Sequence, residues 1–269
     1  MFGMTQIIFL TLLLSFGACY AQELQPVKDL ILPGESFLIQ NHPAFILLPD
    51  ESKRIDPQPW VFYGPTLPGY PDKHEKWMHE QFLDAGVAVA GIDVGEAYGS
   101  PTAIALFTAL YDELTANRRF SKRPCMLGRS RGGLHVTSWA CDNPEKISGI
   151  AGIYPVFDFR TYPGLEATAE AFQLSKEVLL KDISRYNPIE RLDSLIAART
   201  PVHLIHGALD TVVPLAENSQ RFANTYQAKG VGALVTLEVI KDQGHNFWEG
   251  FFRSPKLIDF VITRAKSSL

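Results

Sequence analysis

Three cysteines, a small net charge and only one long apolar run restrict what this 269-residue chain can be. The net charge of −4 leaves no excess of basic groups, which argues against a nucleic-acid partner. No set of Cys, His, Asp and Glu has metal-ligand spacing, so we predict no metal and no other cofactor. Repeats, low-complexity tracts and linkers are absent from the sequence, and 46% of the residues are apolar, as in an ordinary folded domain.

The one long apolar run, Ile7 to Phe16, lies at the N-terminus and is too short to span a bilayer comfortably. Residues 1–21 carry no charged side chain, and small residues follow the run. The pattern predicts a secretory signal peptide cleaved after Ala21, and therefore a secreted or periplasmic protein without a membrane span. Two alternatives are a lipoprotein anchored to the outer membrane at Cys19, since "FGAC" resembles a lipobox, and a buried N-terminal helix.

The other two cysteines, Cys125 and Cys141, would form an even pair in an oxidising compartment. Cys125 precedes Ser130 on a predicted strand and Cys141 follows it on a predicted helix, each about 17 Å below it by the rise per residue. A helix packed on a sheet usually holds such Cα atoms near or beyond the roughly 7 Å limit for a disulfide. We therefore favour two separate buried thiols, with a disulfide as the alternative.

Strand-like and helix-like segments alternate along the chain from about residue 35. The eight strand-like segments are 36–40, 44–49, 59–64, 87–95, 124–128, 147–155, 201–207 and 234–240. Their near-continuous apolar character predicts an α/β fold, with a mainly parallel eight-stranded sheet covered by helices on both faces and an antiparallel start. Residues 156–198 hold more helix than one crossover needs, so we predict a small cap inserted in a single domain of residues 22–269.

Three reactive side chains, Ser130, Asp210 and His245, directly follow predicted strands. The active site of a parallel sheet lies at the carboxyl ends of its strands, so these side chains are expected to converge. A nucleophilic serine needs a base that takes its proton and an acid that orients the base. We predict that Ser130 is the nucleophile, His245 the base and Asp210 the orienting acid, which stand 80 and then 35 residues apart.

These residues stand in motifs that resemble a known family. "GRSRG" at 128–132 matches the G-x-S-x-G elbow, "HGALDTVVP" spans 206–214, and Gly244 precedes His245. Over nearly all of residues 35–265 the chain resembles the α/β-hydrolase superfamily, closest to its prolyl-oligopeptidase-like and carbohydrate-esterase-like branches. The resemblance implies a serine hydrolase with an acyl-enzyme mechanism. We expect its substrate to be a small or oligosaccharide molecule carrying an ester; the oligomeric state stays open.

The family's oxyanion hole uses two backbone donors, and here only one is straightforward to predict. The N–H of Arg131, directly after the nucleophile, is the first. The loop expected to supply the second reads Tyr63-Gly64-Pro65-Thr66, and a proline has no N–H. The donor is then Gly64, Thr66 or the Tyr63 hydroxyl, or the hole is altered. An altered hole keeps open a lyase or dehydratase on acidic sugars with the same triad as base. A further alternative is an inactive binding module, against which the intact triad argues.

Further side chains are candidates for substrate contact. Glu96 and Tyr98 follow a strand within "DVGEAYGSP", and Trp248 follows the histidine of the triad, where it either forms an aromatic wall with Phe247 or packs under the last helix. Tyr63 is a candidate because it stands in the loop expected to complete the oxyanion hole.

The two arginines that flank the nucleophile raise a separate question. Arg131 stands at the start of a predicted helix, where the helix dipole disfavours a cation. We therefore expect it to have a carboxylate partner, either Asp93 or Glu96 or an anionic substrate. Arg129 is a candidate for substrate binding on the elbow itself, and the alternative is that both arginines brace neighbouring loops.

The remaining histidines are interpreted as structural. His206 belongs to a His-Gly turn and is expected to hydrogen-bond to the backbone. His135 is expected in the core or on the surface, whereas His74 and His79 are expected on the exposed side of an amphipathic helix.

Overall fold

A computed structural model describes residues 27–267, so the predicted signal peptide and Cys19 lie outside the described residues. The strands are β1 (Gly34–Ile39), β2 (His42–Leu47), β3 (Trp60–Gly64), β4 (Ala88–Ile92), β5 (Cys125–Arg129), β6 (Gly149–Ile153), β7 (Val202–Gly207) and β8 (Val235–Ile240). The helices are α1 (Lys76–Asp84), α2 (Pro101–Asp112), α3 (Gly132–Asp142), α4 (Leu165–Ala171), α5 (Lys176–Lys181), α6 (Ile183–Tyr186), α7 (Asp193–Ala197), α8 (Arg221–Ala228), α9 (Glu249–Phe252) and α10 (Pro255–Lys266).

The eight strands form one sheet in the order β1-β2-β4-β3-β5-β6-β7-β8. β1 pairs antiparallel with β2 and β2 antiparallel with β4, while the other five pairings are parallel. Every residue of β3 to β7 is buried, which explains their continuous apolar sequences because helices cover both faces. The mainly parallel sheet and its antiparallel start are therefore confirmed, and the fold is that of an α/β-hydrolase.

Two apolar layers pack on opposite faces of the sheet. Helices α2, α3 and α8 cover one face, where Phe62, Phe107 and Trp139 pack together. Helices α1 and α10 cover the other, with Phe82 and Val261 among their buried residues. Serines that cap α2 and α10 begin these helices, each followed by a proline at the first helical position.

The two cysteines of the described chain are buried, free thiols. Cys125 on β5 points into the α1–α10 layer, and Cys141 on α3 lies in the layer on the opposite face. The sheet itself separates the two sulfurs, so the prediction of two separate thiols is confirmed. Their equal distance below Ser130 did not reveal this, because it says nothing about which face of the sheet each side chain enters.

Helix α1 corrects one sequence-based expectation. His79 was expected on the surface, but it is fully buried, with Met78 and Phe82 on the same helix. Trp77, an apolar residue of the same helix, is 37% exposed. The buried face is thus rotated from the one that the apolar residues alone suggested, and burial lowers the pKa of His79 to about 3.

The segment predicted as a cap, residues 156–198, contains α4 to α7. Its apolar residues form a third cluster, in which Phe159, Phe172 and Leu179 pack with Leu134 of α3. Within residues 27–267, no helix is long and apolar enough to cross a membrane.

Candidate active site

Ser130 lies in the tight connection between β5 and α3, at the carboxyl edge of the sheet. Its φ is +50°, a left-handed conformation that a non-glycine residue adopts only when its surroundings impose it. Two hydrogen bonds do so: the Ser130 N–H donates to Ile153 O at 3.0 Å, and the Ser130 carbonyl accepts from the Val156 N–H at 2.8 Å. The backbone at the end of β6 and just after it therefore fixes the serine.

The flanking glycines are required by close backbone approach. A Cβ on Gly132 would lie 2.0 Å from the carbonyl oxygen of Gly64, and one on Gly128 would lie 2.9 Å from the Cα of Gly133. These distances leave no room for any side chain, so the two glycines allow the elbow to pack against the end of β3.

Ser130, His245 and Asp210 form a continuous chain of hydrogen bonds. His245 Nδ1 lies 2.8 Å from Asp210 Oδ2, and because a carboxylate only accepts, Nδ1 carries the proton. Nε2 is then free to accept from the Ser130 hydroxyl, whose oxygen lies 2.9 Å away. The residues arrive from the ends of β5, β7 and β8, and the arrangement suits transfer of the serine proton to the imidazole.

Asp210 is held by four donors. Its Oδ1 accepts from the backbone N–H groups of Val212 and Val213 at 3.0 and 2.8 Å. Its Oδ2 faces both His245 and His206, the latter at 3.3 Å. Burial opposes ionisation of Asp210, but the hydrogen bonds from His206, His245 and Val213 outweigh it and hold the pKa of Asp210 well below its usual value. The carboxylate therefore stays charged beside His245.

The Ser130 and His245 side chains open into a cavity of about 240 Å³. The residues that line it are Pro65, Tyr70, Arg129, Ser130, Arg131, Tyr154, His245, Asn246 and Phe247. The Tyr154 ring packs against the His245 imidazole, 4.4 Å between centroids. A cavity of this size accommodates a small group beside the serine.

The structure does not bring the expected second oxyanion donors into this cavity. Thr66 is fully buried, with its hydroxyl donating to Tyr63 O, and Gly64 is covered by Gly132. Tyr63 corrects the prediction most clearly, because its hydroxyl is buried and donates to the Glu75 carboxylate, whose two oxygens lie 2.8 and 2.9 Å away. In their place Pro65 faces the cavity.

Arg131 lines the cavity, and its N–H makes no hydrogen bond within the described chain. Its guanidinium pairs with Glu96, one of the two carboxylates expected for it. The other, Asp93, is instead buried against Lys28, 2.8 Å away. The ion pair with Arg131 therefore holds Glu96 near the rim of the cavity.

Arg129 is buried below the nucleophile, with only 4% of its side chain exposed. Its Nη1 donates to Glu75 Oε2 at 2.6 Å and to Asp72 Oδ2 at 3.0 Å. Its guanidinium carbon also lies 5.0 Å from the centre of the Tyr70 ring. Arg129 thus contacts the cavity and at the same time joins the elbow to the loop that follows β3.

Two other candidates for substrate contact lie away from the cavity. Trp248 packs edge-on against Phe251 and covers Gly250, so Phe247, and not Trp248, is the residue of this segment whose ring lines the cavity. Tyr98 packs edge-on against Tyr162, and burial together with Glu96 raises the pKa of Tyr98 to about 12.

Sequence reasoning missed Tyr70, Tyr154 and the carboxylates that hold Arg129. Tyr154 directly follows β6, which ends at Ile153, whereas the predicted strand runs on to residue 155 and therefore counts Tyr154 among the strand residues. Tyr70 and Asp72 lie in an irregular loop with no periodicity, and nothing in the sequence marks their approach to Arg129.

The model of the family Peptidase_S9, described as the prolyl oligopeptidase family, matches residues 79–261. A comparison with curated protein sequences gives no match.

Solved structures share the fold at low sequence identity. The S-formylglutathione hydrolase FrmB of Staphylococcus aureus is 13% identical with a TM-score of 0.68, and the match covers 86% of this chain and 98% of that one. Est1E of Butyrivibrio proteoclasticus is 16% identical with a TM-score of 0.60, and the match covers 86% of this chain and 98% of that one. Dipeptidyl peptidase 4 of Porphyromonas gingivalis is 17% identical with a TM-score of 0.66, and the match covers 87% of this chain but only 36% of that one.

Proposed function

The chain is a serine hydrolase of the prolyl oligopeptidase family, and we propose that it cleaves an ester of a small or carbohydrate-linked molecule through an acyl-enzyme intermediate. The observation that carries the proposal is the hydrogen-bonded chain from Ser130 through His245 to Asp210, which opens into a small cavity.

The proposed reaction follows from the positions of the protons. His245 Nε2 takes the Ser130 proton as Oγ attacks the acyl carbon, and Asp210 stabilises the resulting imidazolium. The imidazolium then gives its proton to the departing alcohol. Water repeats the cycle: His245 takes a proton from it, the hydroxide attacks the acyl carbon, and Ser130 leaves with the proton.

The negative oxygen that develops at the acyl carbon needs donors. The Arg131 N–H is the first, because it follows the nucleophile and has no partner in the described chain. We assign the second to the Tyr70 hydroxyl, which belongs to a residue lining the cavity and forms no hydrogen bond with residues 27–267. Asn246 is less suited, because one of its two side-chain N–H bonds is already donated to Gln243 Oε1, which fixes the direction of the amide.

An ester of a small molecule is favoured over a peptide by two observations. The cavity beside Ser130 is small, about 240 Å³. The structures matched over nearly their whole length include an S-formylglutathione hydrolase and Est1E, whereas the matched peptidase is covered over only 36% of its length.

The test is a panel of esters that differ in acyl group and alcohol, with Ser130→Ala as control. We expect hydrolysis by the unaltered protein and a loss of about 10³-fold or more in Ser130→Ala. A fluorophosphonate should label Ser130, and His245→Ala should suppress the labelling. Full activity of Ser130→Ala would refute the assignment. Unsaturated products from acidic oligosaccharides, without ester hydrolysis, would favour a lyase instead.

We also propose that the protein acts outside the cytoplasm, on the basis of the uncharged apolar sequence of residues 1–21. Mass spectrometry of the exported protein tests this. A mature chain that begins at Gln22 supports signal cleavage, an acylated Cys19 supports the lipoprotein, and an intact N-terminus in the cytoplasm contradicts both.

A further inference from the structure

A second cavity, of about 210 Å³, adjoins the one that contains Ser130. Phe247 lines both cavities, so its ring forms the boundary between them. The second cavity lies between the start of α1 and α9, and none of the triad residues lines it. A substrate that extends from Ser130 past Phe247 would therefore enter it.

Exposed aromatic rings form the walls of this second cavity. Phe247 is 51% exposed and Trp77 is 37% exposed, although both are large apolar side chains. The His74 ring stacks on Phe247, with centroids 4.3 Å apart and planes 19° from parallel, and so holds the wall in place. Exposed rings on a concave surface favour a ligand with a flat or ring-shaped apolar face.

The charge of the second cavity is positive. Lys73 is exposed and forms no ion pair or hydrogen bond within residues 27–267. Arg253 lies over the Trp77 ring at 5.3 Å and only 3.4 Å from Glu249, so that pair is close to neutral. The unpaired ammonium of Lys73 is therefore the group available to an anion.

We propose that this second cavity is a substrate subsite for a ring that bears a carboxylate. The ring packs against Phe247 and Trp77, and the carboxylate meets Lys73. The inference deepens the proposed function and rests on it, because it assigns the part of the substrate that lies beyond the ester. A uronic acid and an aromatic acid both have this chemistry, and they are separate arms of the test.

The kinetic test compares acetate esters of three alcohols: a neutral phenol, the same phenol with a ring carboxylate, and a uronic acid. The readout is the ratio of kcat/KM for each charged ester to that for the neutral one. Lys73→Gln should lower this ratio roughly two- to fivefold. Lys76→Gln is the matched control, since Lys76 is an exposed lysine of α1 that does not line the cavity. Equal effects of the two substitutions, or a ratio that neither changes, would overturn the subsite.

A binding test separates this inference from the proposed reaction. Ser130→Ala, which should not turn over the esters, is titrated calorimetrically with the free phenol carboxylate, the free uronic acid and the corresponding neutral amides. The subsite predicts that one or both acids bind more tightly than their amides, and that Trp77→Ala weakens binding roughly three- to tenfold. If the acids bind no more tightly than their amides, the subsite is contradicted, even if Ser130 proves to be the nucleophile. A preference lost in Lys73→Gln supports it even if no ester is cleaved.

Discussion

His206 Nε2 lies 3.3 Å from Asp210 Oδ2, the same oxygen that accepts the hydrogen bond from His245. His206 Nε2 also lies 2.8 Å from the carbonyl of Val213, and since both neighbours only accept, Nε2 carries a proton. Its Nδ1 then accepts from the Ser219 hydroxyl at 2.8 Å. The expected backbone hydrogen bond of this buried histidine is confirmed, and His206 also supports the charge of the Asp210 carboxylate.

Asp210→Asn is expected to lower kcat by about 10⁴-fold while the protein stays folded. An amide can donate to His245 Nδ1, which would force the imidazole into the tautomer that cannot accept the Ser130 proton. Steady-state kinetics on the best ester from the panel measures the loss, and circular dichroism checks folding. A folded variant with activity near that of the unaltered protein would show that Asp210 does not orient the base.

Tyr70→Phe is expected to reduce kcat roughly 100-fold, with a much smaller change in KM. The hydroxyl is assigned to the oxyanion, which exists only as the acyl carbon reacts, whereas the ring would still pack against Arg129. Phe247→Leu serves as a comparison, because it alters the cavity wall without removing a donor. If Tyr70→Phe changes KM alone, the tyrosine contacts bound substrate and not the oxyanion.

Arg129→Met should destabilise the protein by about 3–5 kcal/mol, because it leaves the carboxylate of Glu75 buried without its cation. Urea unfolding of the single variants and of Arg129→Met/Glu75→Gln measures this coupling. The double variant should be more stable than the sum of the two single effects predicts. Additive losses would mean that the two side chains do not interact energetically.

The second arginine of the elbow provides the contrast. Arg131 and Glu96 are 25% and 48% exposed, so solvent weakens their attraction. Arg131→Gln should therefore change the free energy of unfolding by no more than about 1 kcal/mol. If Arg131→Gln lowers the free energy of unfolding as much as Arg129→Met does, the exposed Arg131–Glu96 pair, and not only the buried Arg129–Glu75 pair, stabilises the elbow.

Two buried histidines should make folding sensitive to mild acid. Burial lowers the pKa of His79 to about 3 and that of His135 to about 4, whereas an unfolded imidazole titrates near ~6.5. Between these values the unfolded chain binds more protons, so the free energy of unfolding falls as the pH falls, by up to about 1.4 kcal/mol per pH unit for each histidine. Urea unfolding between about pH 7 and pH 5 measures this slope. His135→Leu should reduce it, and an unchanged slope would contradict the assignment.

The fold and the triad were predictable because both depend on rules that act along the chain. Apolar runs identify strands, and side chains after strand ends converge at one edge, which brings Ser130 and His245 together. Glu75 and Arg129 were not predictable as a pair, because an irregular loop of no periodicity determines their contact. The burial of His79 was not predictable, because hydrophobicity alone favours a surface position for a histidine, whereas its ring packs against Tyr63 and Phe82.

The separation of Cys125 and Cys141 by the sheet gives the protein two internal reporters. Each apolar layer contains one thiol that reagents reach only when that layer opens. Pulsed alkylation followed by peptide mapping would therefore time the opening of the two faces independently, without any introduced label. It would reveal whether the face that carries α3, and with it the elbow, opens before the face that carries α1 and α10.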